Sequence, residues 1–206
     1  MTEVKPEPTR YSVHLNVPEN VARPLDLWAE NAEGASLPAT GWHITLLPPF
    51  VSKADEQRLV ALVNEVAARH SPFAIELDTV EQAPDRTRQG FAAVFLSTTR
   101  EQERTGPLFD LQTDLAQTLA TLRMGILPGL EETNFWPHVT LALAVSEKEA
   151  ERLARSARRA TLALSFRVNA FWLTRVEPMT TGEVNAWRRR FALANGNPIS
   201  TSVQTS

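Results

Sequence analysis

Apolar positions along the chain follow two periods. Residues 11–17, 42–47, 73–81, 91–96, 136–143 and 166–177 carry β-branched and aromatic residues in short alternating runs, the mark of strands with one buried face. Between them, apolar residues recur at i, i+3, i+4 and i+7, the spacing of amphipathic helices. The predicted helical stripes are Leu25, Trp28, Ala29 and Ala32; Leu59, Leu62, Val63 and Val66; Leu108, Leu111, Leu115 and Leu122; and Ala150, Leu153, Ala154 and Ala157. Ser52 and Ser146 each open an S-x-x-[DE] signature, closed by Asp55 and Glu149, that predicts a helix start.

These elements come in the same order twice. Each half reads strand, helix, strand, helix, strand, so the chain is a duplication. A last alternating segment, residues 184–194, is expected to fold back on its predecessor through a turn at 178–182. Residues 124–135, with Pro128 and Gly129, read as a loop special to the second half. The expected fold class is α+β: a duplicated, two-lobed, pseudo-twofold arrangement of antiparallel sheets with flanking helices and a central cleft. Residues 10–195 would form one domain, with lobe one at about 10–84 and lobe two at about 90–195. Residues 1–9 and 196–206, polar and rich in Pro or Ser/Thr, are expected to be disordered or frayed.

Composition narrows the classes. At 206 residues, 43% apolar and 22% charged, the chain can bury a sizeable core. No apolar run approaches the roughly 20 residues that span a bilayer, and residues 1–9, polar and Pro-rich, do not read as a secretory signal. The absence of cysteine excludes disulfides, thiolate metal sites and a Cys nucleophile, and fits the cytoplasm. A net charge of −3 argues against an extended nucleic-acid surface. A small phosphorylated nucleotide or an RNA terminus remains a suitable partner, with the protein expected to act as a monomer.

The chemistry lies in two tetrapeptides. His43-Ile44-Thr45-Leu46 and His138-Val139-Thr140-Leu141 stand 95 residues apart, each in an apolar strand run at a matching place in its half. Side chains two apart on a strand share a face. His43 therefore points with Thr45, and His138 with Thr140. The duplication is expected to set the two pairs on opposite walls of one cleft. Two imidazoles titrating near neutral pH supply a general acid and a general base without a metal. The hydroxyls can hold the oxygens of a phosphate. Only one good metal ligand per strand is present, with no H-x-H or H-E-x-x-H, so no metal or other cofactor is expected.

Other residues carry competing readings. His14 lies on the polar side of the first strand, either as a hydrogen-bonded sheet position or as a substrate contact. Trp136, two residues before His138, either packs in the core or stacks on a base. Arg86 and Arg88, in the link between halves, are either solvated or hold a phosphate. Trp28, Trp42 and Trp172 read as packing. His70 sits at a helix end, where the dipole favours a cation. Arg188, Arg189 and Arg190 lie on the last strand with alternate members on opposite faces, and a phosphate role is open to one of them.

The two H-x-T motifs in duplicated halves, the second preceded by proline in Trp136-Pro137-His138, resemble the 2H phosphoesterase superfamily, which includes the RNA 2′,3′-cyclic phosphodiesterases also called 2′-5′ RNA ligases. The resemblance spans roughly residues 10–195. It implies that His43 and His138 are catalytic, that Thr45 and Thr140 bind phosphate, and that His138 is the base and His43 the acid in hydrolysis. Run backwards, the same pair would join a 5′-hydroxyl to a cyclic end. Two departures bear on the substrate. Leu141 to Val145 lacks the basic residue that some RNA-processing members carry after the second motif, and Leu47, Pro48, Pro49 and Phe50 replace the Gly-containing turn of many members. The expected function is a metal-independent cyclic phosphodiesterase acting on nucleotides or RNA ends. The alternative is a nucleotide- or RNA-binding module with the same cleft and little catalysis.

Overall fold

The computed structural model describes residues 8–35, 41–85, 88–98, 105–126, 134–178, 184–194 and 203–204. Outside them lie Arg86, residues 1–7 of the N-terminal stretch expected to be disordered, nearly all of the C-terminal tail, residues 127–133 of the predicted long loop, and most of the 178–182 turn.

The first half runs β1 (Arg10–Asn16), α1 (Glu19–Asn31), β2 (His43–Ser52), α2 (Glu56–Arg69), β3 (Phe73–Leu77) and β4 (Thr79–Pro84). The second runs β5 (Ala92–Ser97), α3 (Pro107–Thr118), a 3₁₀ turn, β6 (Arg123–Met124), β7 (His138–Val145), α4 (Glu147–Arg159), β8 (Leu164–Val168), β9 (Ala170–Pro178) and β10 (Val184–Ala192); β11 (Val203–Gln204) follows. The fold is α+β, with every strand pair antiparallel.

Two local expectations are corrected. The predicted single strand over 73–81 breaks at Asp78 into β3 and β4, and its counterpart breaks at Asn169 into β8 and β9. The helix start expected at Ser52 falls three residues later. Asp55 caps α2 by accepting from Arg58 N, while Ser52 ends β2 and its hydroxyl bonds Ala54. At Ser146 the expected cap forms, with the side chain accepting from Glu149 N.

The breaks at Asp78 and Asn169 allow the halves to exchange strands. The main sheet has the order β11-β10-β9-β1-β2-β7-β5-β4, with β6 against β2, and β3 pairs with β8 in a small second sheet. Thus β4 of the first half lies beside β5 of the second, and β9 of the second lies beside β1 of the first. A pseudo-twofold axis runs between β2 and β7. The two motif strands show the same succession of burial, half-buried at His and Thr, buried at the residues between.

Alternation fixes which face the motifs show. Val13, Leu15, Ile44, Leu46, Val139 and Leu141 are buried in the core, which the helices complete with Leu25, Leu59, Leu111, Leu115 and Leu153. Burying one such side chain is worth about 1.5–3 kcal/mol. A one-residue slip of β2 or β7 would expose these residues and bury His and Thr instead. The core therefore holds the histidines on the opposite, open face.

Candidate active site

Strands β2 and β7 touch at one register pair, Ile44 opposite Val139. Continuing that antiparallel register by one residue each way sets His43 across from Thr140 and Thr45 across from His138. The two histidines and two threonines thus flank the single bridge between β2 and β7 as a quartet. The histidines stand on adjacent strands in the middle of one sheet, at the place where the two sheet halves meet.

Each ring is oriented by the backbone behind it. His43 Nδ1 lies 2.8 Å from the Gly41 carbonyl oxygen, and His138 Nδ1 lies 2.6 Å from that of Trp136. A carbonyl can only accept, so both Nδ1 atoms carry the proton and the neutral rings keep the lone pair on Nε2. Both working nitrogens are therefore Nε2. Gly41 has φ +74°, a conformation open to glycine, and aims its carbonyl at the ring.

The strands beyond the motif strands repeat the symmetry and then break it. Asn16 on β1 pairs with His43, and Ser97 on β5 pairs with His138. One step on, His14 pairs with Thr45 and Phe95 with Thr140. Beside His138 the surroundings are aromatic, with Phe95 at 4.3 Å and Trp136 at 6.2 Å between ring centroids. Beside His43 they are polar. The His14 ring is 5.1 Å away, and its Nε2 lies 3.2 Å from both Thr174 Oγ1 and Arg188 Nη2. Arg188 Nη2 also donates to Asn16 Oδ1 at 2.7 Å, and its guanidinium carbon lies 5.2 Å from the Trp172 ring centroid.

Electrostatics follow from this packing. Burial above all, then His43, then Arg188, lower the His14 pKa from 6.5 to about 3. His14 is neutral and accepts from the guanidinium. His43 is also lowered, by burial first; its hydrogen bond to Gly41 pulls the other way, and Arg188 adds to the lowering.

Not every residue singled out in the sequence reaches the quartet. His14 is only 3% exposed, so it braces Arg188 and His43 rather than offering a surface to a substrate, a correction to the contact reading. Trp136 is half-buried against Phe95, beside His138. Arg88 is corrected away from the site: its guanidinium covers Phe91 in the link after β4. That link adjoins Ala92, which pairs with Val145, whereas Ser97 pairs with His138; the five-residue separation puts it about 17 Å along the strand. Trp28 and Trp42 are buried as expected, bonding Ser156 and Asp26. Trp172, read as packing, lies half-buried on the sheet face of His14. His70 caps α2 and bonds Asp114 at 2.9 Å. Asn16 and Thr174 were missed: a lone Asn or Thr in a strand carries no signal until its cross-strand partners are known.

Among the described residues no three histidine or acidic side chains converge as metal ligands, and no helix is long and apolar enough to cross a membrane. Surface depressions of about 510 and 290 Å³ lie elsewhere, beside α2 and between β3 and the start of α3, and neither includes a histidine.

The sequence profile of the 2′-5′ RNA ligase superfamily matches residues 17–178. Among solved structures, the crystal structure of E. coli LigT complexed with 3′-AMP is similar at TM-score 0.61 and 22% identity, covering 92% of this chain and all of that one. A structure named only as a phosphoesterase reaches TM-score 0.59 at 21% identity, with the same coverage. The protein TT0787 of Thermus thermophilus reaches 0.57 at 20%, covering 90% of this chain and 98% of that one. These likenesses establish the shared fold. No curated protein matches in sequence.

Proposed function

The chain belongs to the 2′-5′ RNA ligase superfamily, and on that footing we propose that it is a metal-independent cyclic phosphodiesterase that opens 2′,3′-cyclic phosphates of nucleotides or RNA ends. One observation carries the reading: both H-x-T pairs are complete on adjacent strands, with both Nδ1 atoms tied to backbone carbonyls, which puts the lone pair of each neutral ring on Nε2.

Opening the ring requires water to lose a proton as it attacks phosphorus, and the departing ribose oxygen to gain one. One neutral and one protonated imidazole supply the two transfers, each worth about 10²–10⁴ in rate. Thr45 and Thr140 donate to the non-bridging oxygens and stabilise the charge that builds there. Family resemblance makes His138 the base and His43 the acid. In the free protein, burial and Arg188 favour neutral His43; the substrate's negative phosphate has to raise its pKa on binding for it to serve as the acid. Trp136, whose ring contacts His138 and Phe95, is the side chain we assign to stack on the nucleobase.

The test is turnover of adenosine 2′,3′-cyclic phosphate in the presence of a chelator, comparing wild type with His43→Ala and His138→Ala. Survival in chelator with loss in either variant supports the reading. Equal rates in wild type and the double variant overturn it.

A further inference from the structure

The two flanks of the quartet differ in one respect that the duplication does not explain. Among the described residues strand β10 has no counterpart in the first half, and it delivers Arg188 across β9 to β1. The neighbours of this guanidinium are neutral: the Asn16 amide, the unprotonated His14 ring and the Trp172 face. Arg69, Arg152, Arg155 and Arg175 each pair with a carboxylate. Among the described residues Arg188 does not, and its buried Nε has no hydrogen-bond partner. Half-burying a cation without a counter-charge is costly. Its lowered pKa, caused by burial, records that cost.

We propose that Arg188, held by Asn16 and His14 over Trp172, is a second anion site that takes a non-reacting phosphate of the substrate. The preferred substrate is then a 2′,3′-cyclic nucleotide that also carries a 5′ phosphate, as every RNA 3′ end does through its chain, rather than a bare nucleoside cyclic phosphate. The proposal rests on the reading of the quartet as a cyclic phosphodiesterase site.

Position argues for a non-reacting group. The reacting phosphorus has to lie between β2 and β7 to meet both Nε2 atoms. The guanidinium sits over β1, a further strand away, and strands are about 4.8 Å apart. A phosphate across the ribose from the cyclic one reaches that far; an oxygen on the reacting phosphorus does not. The opposite flank suits the other end of a nucleotide. There Phe95 and Trp136 occupy the ground next to His138, and aromatic faces take a base. The asymmetry therefore orients the substrate, base toward Phe95 and phosphate toward Arg188.

The experiment has a kinetic arm and a binding arm. In the first, kcat/KM is measured on adenosine 2′,3′-cyclic phosphate with and without a 5′ phosphate, for wild type and Arg188→Gln. Charge-assisted hydrogen bonds set the expected preference of wild type for the 5′-phosphorylated form at about ten- to a hundredfold. Arg188→Gln removes that preference; because Arg188 also lowers the His43 pKa, the readout is the ratio between the two substrates at one pH rather than either rate alone. In the second, calorimetry compares adenosine 3′,5′-bisphosphate with adenosine 3′-monophosphate, and the same ratio and the same loss are expected. A wild-type ratio near one in both arms overturns the proposal without recourse to a variant. Equal loss on both substrates in Arg188→Gln also overturns it, placing Arg188 at the reacting phosphate or in the scaffold. Absence of turnover on every cyclic phosphate, with the binding ratio intact and lost on substitution, removes the enzyme reading and leaves the anion site standing.

Discussion

Replacing His14 by glutamine tests the electrostatics of the site through stability. The His14 ring is buried at 3% exposure, and its pKa of about 3 compares with 6.5 for the free side chain. The folded pKa is depressed, so the contribution is fully present above 6.5 and is lost as pH falls toward 3. In that window only the unfolded chain takes up the proton, and stability declines by about 1.4 kcal/mol per pH unit. Between pH 7 and 5 the loss is about 2 kcal/mol from His14 alone. His43, shifted in the same direction, adds to it. Glutamine at position 14 keeps an oxygen that can accept from Arg188 but has no proton to gain. In urea unfolding at pH 7, 6 and 5, the stability of wild type relative to His14→Gln should fall by about 2 kcal/mol from pH 7 to pH 5, whatever the offset at pH 7. Parallel curves would refute the claim that a neutral imidazole is locked beneath Arg188.

Three further outcomes follow from the geometry. The pH profiles of kcat/KM and kcat should both be bell-shaped, and the limb governed by His43 should stand at higher pH in kcat, because bound phosphate opposes the lowering by burial and Arg188; coincident or flat profiles between about pH 5 and 8 argue against paired imidazoles. Asp85, 6% exposed, accepts from the backbone N–H of Arg88 and of Ala144, the latter at φ +55°; thermal or urea unfolding of Asp85→Ala should show a loss of about 1.5–3 kcal/mol with kcat unchanged in the surviving folded protein. Trp136→Ala should raise KM for an adenine nucleotide about five- to a hundredfold while moving kcat less, measured by initial rates, if the indole stacks on the base.

The motifs were legible because strand alternation is local. His43 with Thr45, and His138 with Thr140, share a face by covalent geometry alone, and the buried partners Ile44 and Val139 hold that face open. What lay beyond the sequence was non-local. The breaks at Asp78 and Asn169 make sense only once β4 and β9 cross to the other half, and no periodicity records an exchange of partners. The same holds for Arg188. Three consecutive arginines gave no ranking until the register with β9 set Arg188 opposite Thr174, on the His14 face. Its apolar strand marks Trp172 as packing, and only the same register shows that it packs on the His14 face, under Arg188. Ser52 shows a narrower failure: Asp55, both signature member and capper, competed for the helix start and won.

The most direct measurement is a crystal structure of the protein with vanadate and a nucleoside, which mimics phosphorus in transfer. The account requires the metal centre of that mimic between β2 and β7, with the Nε2 atoms of His43 and His138 on opposite sides of it and each within about 3 Å of one of its oxygens. Thr45 and Thr140 should contact the remaining oxygens. A mimic bound against one ring only, or anywhere off the β2–β7 junction, contradicts it.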